Sequence, residues 1–401
     1  MKPEEPANDA TARDSRRTVR TFALASFLND FGSDMIYPLW PLFVTTVLGA
    51  NMAILGLLDG IGDAMVAVSQ AASGYAADRL QRRKPFIWIG YLFGSASRVG
   101  YALSLTWQHV LPFRILDRSG KIRSAPRDAM VAEASTNENR GRNFGLVRSM
   151  DHLGAVCGIV TSIVLFDLGY RTLFLIAAVP SLIAVALILI TIRDPVRSTG
   201  KLFKGLRLAD LDRNFWLFLI QSAVFAVASF SYSFLLLSAE EYGISAGKIP
   251  VLYLVFTLAA ALFALPLGKL ADRFGRKSLL FFSYILWALV CAGFLVVDSP
   301  WGIVALFVLY GLHKAAIEPA QKTLVAELAP APFRASTIGG FQMVIGIATL
   351  PSSIVAGVLW ESVGFRAPFV VALGLTVASS ILLLFVRERV QATPGGSRTN
   401  S

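Results

Sequence analysis

The sequence predicts an all-α membrane protein: twelve transmembrane helices in two pseudo-symmetric six-helix bundles. Of its 401 residues, 55% are hydrophobic and 16% charged, whereas soluble domains carry roughly 25% charge. Twelve apolar runs approach or exceed the roughly 20 residues that cross a bilayer. Finally, "GYAADRLQRRK", starting at Gly74, returns as "GKLADRFGRK", starting at Gly268, 194 residues later.

The runs fall near 20-48, 53-77, 86-107, 109-133, 143-166 and 171-192, then 214-238, 249-271, 278-298, 300-326, 335-360 and 365-387. The first 19 residues are polar and of mixed charge, unlike a cleaved signal peptide, so 1-19 reads as a tail and the first run as the insertion signal. That first run, "LNDFGSDMIYPLWPLFV" from Leu28, carries Asp30, Asp34, Pro38 and Pro41, and its prolines predict a bend or a loosened ladder. The second run carries Asp59 and Asp63, and the third carries Arg98. In the fourth, helical spacing puts Arg114, Asp117, Arg118, Lys121 and Asp128 on one stripe, with Arg123 and Arg127 opposite and able to snorkel. The fifth holds Arg148, Asp151 and His152, then Gly154 and Gly158 in G-x-x-x-G spacing, which suits tight helix packing.

The basic stretch 193-213 reads as the linker between bundles 20-192 and 214-387, and 388-401 reads as a C-terminal tail. The repeat continues beyond its motif: Asp78, Arg79 and Arg82 match Asp272, Arg273 and Arg276, Glu133 matches Glu327, and Arg140 matches Arg334. The intramembrane charges do not repeat. At the same offset Asp30 and Asp34 meet Val224 and Ala228, Asp59 and Asp63 meet Tyr253 and Thr257, and Arg98 meets Ala292. The first-half charges are additions to a scaffold that does without them in the second half. The tenth run has its own set, Lys314, Glu318 and Lys322, read first as an i,i+4 ladder and second as a cavity-facing contact.

Lys and Arg collect in alternate connections: Lys2, Arg13, Arg16, Arg17 and Arg20 before the first run, Arg79, Arg82, Arg83 and Lys84 after the second, and six in the linker. The opposite loops hold only Arg171, Lys248 and Arg366. The positive-inside rule then places both termini in the cytoplasm and assigns the net charge of +11 to topology and not to nucleic acid. Cys157 and Cys291 lie inside predicted spans as small hydrophobes. There is no nucleophile-base constellation, nucleotide motif or metal-ligand cluster in the soluble connections, so neither an enzyme nor a cofactor is expected.

A chain of six plus six helices with G-x-x-x-D-R-x-G-R, then Arg or Lys, after the second and eighth resembles the major facilitator superfamily from about residue 20 to 390. Gln81 departs from the motif's second Gly. "NDFGSDMIYPLWP", "LLDGIGDA" and "DRSGKIRSAPRDA" also resemble a prokaryotic subgroup with N-D-x-x-S-E-M-x-Y-P-L-x-P in its first helix, paired acids in the second and D-R-x-G-K-G-x-R-x-A-P-R-D-A in the fourth. This chain is one residue short after Lys121.

The resemblance implies a secondary transporter with a midplane site, and gating latches from Asp78, Arg79, Arg82, Arg83, Glu133, Arg140, Asp272, Arg273, Arg276, Glu327 and Arg334. Charges at mid-depth cost about 2.5 to 3.5 kcal/mol each on insertion scales and face a cavity or a partner. The expected proton-coupling and substrate cavity therefore uses Asp30, Asp34, Asp59, Asp63, Arg98, Asp117, Arg118, Lys121, Arg148 and Asp151, with Asp34 and Asp63 first for protonation. Proton-coupled export of a small organic solute is the leading expectation. Import of an organic anion or siderophore-like ligand is the second, and a non-transporting membrane sensor on the same fold the third. The expected partners are solute, protons and the lipid bilayer, with no nucleic acid or nucleotide, for a monomer in a prokaryotic cytoplasmic membrane.

Overall fold

The structure is a computed structural model and describes residues 5–80, 82–136, 139–194, 211–329 and 334–388. Most of the predicted linker and C-terminal tail lies outside the described residues, as do the side chains of Asp78, Arg140, Asp272 and Arg334, four of the expected latch residues. The described residues form helices joined by short connections, with no strand among them.

The first half contains α1 (Glu5–Ile36), α2 (Met52–Leu80), α3 (Lys84–Leu103), α4 (Trp107–Ser119), α5 (Ser124–Glu133), α6 (Arg140–Val164) and α7 (Tyr170–Thr191). The second contains α8 (Arg213–Ala228), α9 (Tyr232–Glu241), α10 (Ile249–Phe274), α11 (Arg276–Val296), α12 (Pro300–Leu328), α13 (Arg334–Ser362) and α14 (Ala367–Phe385). Because α1 begins at Glu5, the described part of the predicted N-terminal tail continues the first helix instead of preceding it.

Side chains set several of the helix starts by accepting the N–H groups that a first turn leaves free. Asn51 Oδ1 accepts from Ile54 N at 2.9 Å to open α2, Asp212 from Phe215 N at 2.7 Å to open α8, and Ser299 from Gly302 N at 3.1 Å ahead of Pro300 in α12. Two later carboxylates cap across the bundle. Asp194 accepts from Arg83 N and Lys84 N at 3.1 and 3.3 Å, and Glu388 accepts from Arg276 N and Lys277 N at 2.6 and 3.4 Å.

Those caps correct the sequence alignment. Among the expected latch residues, Arg83 pairs with Glu133 at 2.8 Å and Arg276 with Glu327 at 3.1 Å, so the repeat counterpart of Arg276 is Arg83, not Arg82. Gly275 closes its connection in a single residue at φ 93°, a backbone open to Gly. In the first half the capped amides are those of Arg83 and Lys84 and in the second those of Arg276 and Lys277, an offset of 193 that slips the register by one.

Within the first half, Gly154 and Gly158 of α6 abut the backbone of Phe27 and Phe31 in α1, so the G-x-x-x-G spacing serves helix packing. The halves meet where α2 crosses α13. Gly56 abuts the Ser353 backbone, Gly60 that of Leu350, and Gly357 that of Met52, while Met52 N donates to Glu361 Oε1 at 2.6 Å. Chain direction puts these contacts toward the end opposite the termini.

Eight helical stretches among the described residues are long and apolar enough to cross a membrane: Met52–Ala77, Tyr170–Thr191, Arg213–Glu241, Ala246–Leu270, Arg276–Val296, Pro300–Leu328, Thr337–Ser362 and Ala367–Phe385. All six expected spans of the second half are among them, but only two of the first. The other four expected spans are the first, fourth and fifth, where Asp, Arg and Lys are concentrated, and the third, which carries Arg98 among Gly and Ser.

Candidate functional site

The leading helix of each half is interrupted at a similar depth. In the first half, α1 stops at Ile36, residues 37–39 turn, and the chain resumes as Trp40–Leu42 and a π-helical turn Phe43–Val47. Pro38 and Pro41 lack the N–H groups that would continue the ladder. Pro41 leaves the Tyr37 carbonyl free, and the Tyr232 hydroxyl of the second half donates to it at 3.3 Å. In the second half α8 ends at Ala228 and α9 begins at Tyr232, with Ser231 capping Ser233 N at 3.2 Å. No proline marks this second break; its only trace in the sequence is the short Ser-rich "SFSYS" at 229–233.

Asp59 ties the two breaks together. Its Oδ1 accepts from Arg114 Nη2 at 2.5 Å and Trp40 Nε1 at 2.8 Å, and its Oδ2 from Ser231 Oγ at 2.6 Å and Ser233 Oγ at 2.5 Å. The Arg114 guanidinium also lies 4.1 Å from the Trp40 ring centroid. Asp59 and Arg114 are buried, at 1% and 2% exposure. With four donors on its two oxygens, this carboxylate is a fully engaged bridge between halves and not the open group that its depth suggested.

Beside that bridge lies a cavity of about 650 Å³. Asp34, Asp63, Arg114 and Arg118 line it from the first half, and Tyr232, Tyr253, Phe256, Tyr310, Lys314 and Glu318 from the second. The Tyr253 hydroxyl is 3.4 Å from Asp34 Oδ1, a long contact. None of the ion pairs found among the described residues uses Asp34 or Asp63. Arg118 lies over the Tyr37 ring at 4.8 Å and donates to its hydroxyl at 3.3 Å, with Asp117 at 3.7 Å. Lys314 sits 5.3 Å from the Tyr310 ring centroid. Of the two readings of Lys314 and Glu318, ladder or cavity-facing contact, the geometry favours the second: no ion pair joins them among the described residues, and both line the cavity.

The other expected site residues sit elsewhere in the first half. Arg98, 1% exposed, donates to Ala177 O at 2.8 Å, Ser181 Oγ at 2.5 Å, Ser33 Oγ at 2.7 Å and Asn29 O at 3.3 Å, so it fastens α1, α3 and α7 together. Asp151 joins Arg127 at 3.6 Å and Arg148 at 3.2 Å, and Asp128 joins Arg127 at 3.0 Å and Arg148 at 3.8 Å. Arg148 itself is exposed. Asp30 accepts from Asn29 Nδ2 at 2.8 Å, and Asp30, Asp117 and Lys121 are half-buried.

The snorkelling expected of Arg123 and Arg127 does not occur. Arg123 lies 5.0 Å from the Tyr91 ring centroid and donates to Gly120 O, and Arg127 donates to Ser26 Oγ at 2.7 Å; both are buried. The cause is a 3₁₀ segment, Gly120–Arg123, inserted between α4 and α5, which re-aims α5 where the sequence is one residue short.

A sequence model described as Major Facilitator Superfamily matches residues 22–245 and 217–400. An uncharacterized MFS-type transporter of Methanocaldococcus jannaschii is 33% identical over 389 residues, 94% of this chain and 97% of that protein. Quinolone resistance protein NorA of Staphylococcus aureus is 21% identical over 371 residues, 90% of this chain and 94% of its own. Among solved structures, a mutant of the nucleoside transporter NupG superposes with a TM-score of 0.79 at 17% identity, over 92% of this chain and 99% of that one.

Proposed function

The chain belongs to the major facilitator superfamily, and on that premise we propose that it couples proton movement to the export of a small amphipathic organic solute. It is a transporter and not an enzyme, a multi-pass membrane protein that carries small molecules across the bilayer. The eight apolar spans and the four charge-bearing ones of the first half make up twelve, with both termini in the cytoplasm.

The observation that carries the proposal is the two-sided cavity. Asp34 and Asp63 face it with no ion pair among the described residues, and an aromatic wall of Tyr232, Tyr253, Phe256 and Tyr310 faces them. Apolar and aromatic walls with a few convergent polar groups suit an organic ligand. Desolvation favours the neutral carboxyl and a nearby cation the charged one, so a group whose neighbours change as the halves rock trades its proton for solute. The engaged Asp59 does not share this role; it holds the halves together where they touch.

The test is transport in proteoliposomes under an imposed pH gradient, with hits from a metabolite and drug library as solutes. Asp34→Asn and Asp63→Asn should abolish gradient-driven accumulation while leaving solute exchange at equilibrium pH measurable. Gradient-driven transport at wild-type rates in both variants would overturn the assignment. Import of an organic anion is the second reading, favoured by Arg118 and Lys314 on the same cavity. Inside-out and right-side-out vesicles separate the two, since export predicts accumulation only in inside-out vesicles.

A further inference from the structure

A second concavity lies on the outer surface, at the end that carries the termini. It has a volume of about 430 Å³ and lies between α1 and the end of α7, lined by Arg16, Arg17, Arg20, Leu24, Leu187 and Thr191, with Thr21 at its base. We propose that this groove binds an anionic phospholipid, its phosphate on the arginines and its acyl chains on the leucines.

The groove is built in two tiers by both helices. On α1, Arg16, Arg20 and Leu24 follow one another at i, i+4 and i+8 on one face, about 12 Å at 1.5 Å rise per residue. On α7, Thr191 and Leu187 repeat the step from polar to apolar in one turn. The polar tier therefore lies toward the end that carries the termini and the apolar tier one turn deeper, the order in which a phospholipid presents headgroup and acyl chain. A soluble phosphate has no use for the lower tier.

Charge points the same way. Among the described residues no acidic side chain lines the groove, and no ion pair uses Arg16, Arg17 or Arg20. The contrast is the apolar groove beside α13 and α14, whose one basic residue, Arg366, is paired with Asp298 at 3.5 Å. The internal repeat supplies a control as well. At the 194-residue offset Arg16, Arg17 and Arg20 meet Asp210, Leu211 and Asn214, so the scaffold does not require three arginines here. Basic residues beside a membrane surface draw anionic lipid at roughly fivefold in affinity each.

Native mass spectrometry of the purified full chain in mixed micelles of phosphatidylglycerol and phosphatidylcholine tests the site. The wild-type chain should retain phosphatidylglycerol in preference to phosphatidylcholine. The variant R16Q/R17Q/R20Q should lose that preference, by on the order of a hundredfold in affinity, with its melting transition in phosphatidylcholine unchanged. Undiminished phosphatidylglycerol retention in the variant overturns the proposal. So does displacement of the lipid by millimolar inorganic phosphate, which marks a soluble-anion site. If the triple variant does not fold, R20Q alone should weaken retention about fivefold, and an unchanged affinity there overturns the proposal equally.

Discussion

Two charges that the sequence places inside spans of the same half have opposite worth, and their surroundings decide which. Asp59 is buried with Arg114, and removing one partner of such a pair leaves the other charge stranded at a cost of about 3–5 kcal/mol. Asp59→Asn should therefore lower the melting temperature of the purified protein by many degrees. Arg148 pairs with Asp151 and Asp128 while its side chain is 60% exposed, and exposed pairs contribute at most about 1 kcal/mol. Arg148→Gln should leave the melting temperature within a degree or two, and a drop equal to that of the Asp59 variant would contradict this reading. The sequence exposed both residues as intramembrane charges and could rank neither. It singled out Asp34 and Asp63 because the cost of a midplane carboxylate is visible in the residue itself, and both line one cavity of about 650 Å³. It misplaced Arg98 because the partners of that guanidinium are two backbone carbonyls, which leave no mark in composition, and two serines, which are common everywhere.

Element boundaries were legible where a residue forces them and hidden where packing does. Pro38 and Pro41 announced the break after α1, whereas the matching break after α8 has no proline and is held by Ser231 and by the hydroxyls that reach Asp59. The 3₁₀ segment in the fourth span left half a signal, a missing residue, without the direction in which α5 would turn. It sits where Gly90 and Gly120 bring the backbones of α3 and the segment together. Gly275 is the clearest single-residue boundary. At φ 93° and ψ 150° it holds a conformation essentially confined to Gly, which strains an L-residue by about 1–3 kcal/mol, and a Cβ there would lie 2.8 Å from Glu388 Oε2, the carboxylate that caps α11. Gly275→Ala should destabilise the protein by at least that amount and loosen the start of α11, read as faster hydrogen exchange at the amides of Arg276 and Lys277. Unchanged exchange at those amides would show that the cap does not depend on the turn.

At the scale of the whole molecule, the halves divide the work unequally. The first half supplies Asp34, Asp63 and most of the buried cations, and the second supplies the aromatic wall with Lys314 and Glu318. What joins them toward the end opposite the termini is glycine-mediated backbone contact together with the bonds to Asp59, Tyr37 and Met52. A contact made through glycine has no side chain to yield when a methyl is added. Gly56→Ala would drive a Cβ into the Ser353 backbone, and Gly357→Ala would do the same at Met52. Overpacking of this kind costs about 1–3 kcal/mol, and it is relieved when the halves part at that end, so the open population should rise roughly tenfold. The reporter is Ser229→Cys on the cavity wall, in a chain whose half-buried Cys157 is replaced by Ala, labelled with a membrane-impermeant maleimide from the side opposite the termini. Each glycine variant should be labelled about ten times faster than the parent. Folded variants labelled at the parental rate would mean that this contact does not hold the cavity shut, leaving Asp59 and its two serines as the closure to test next.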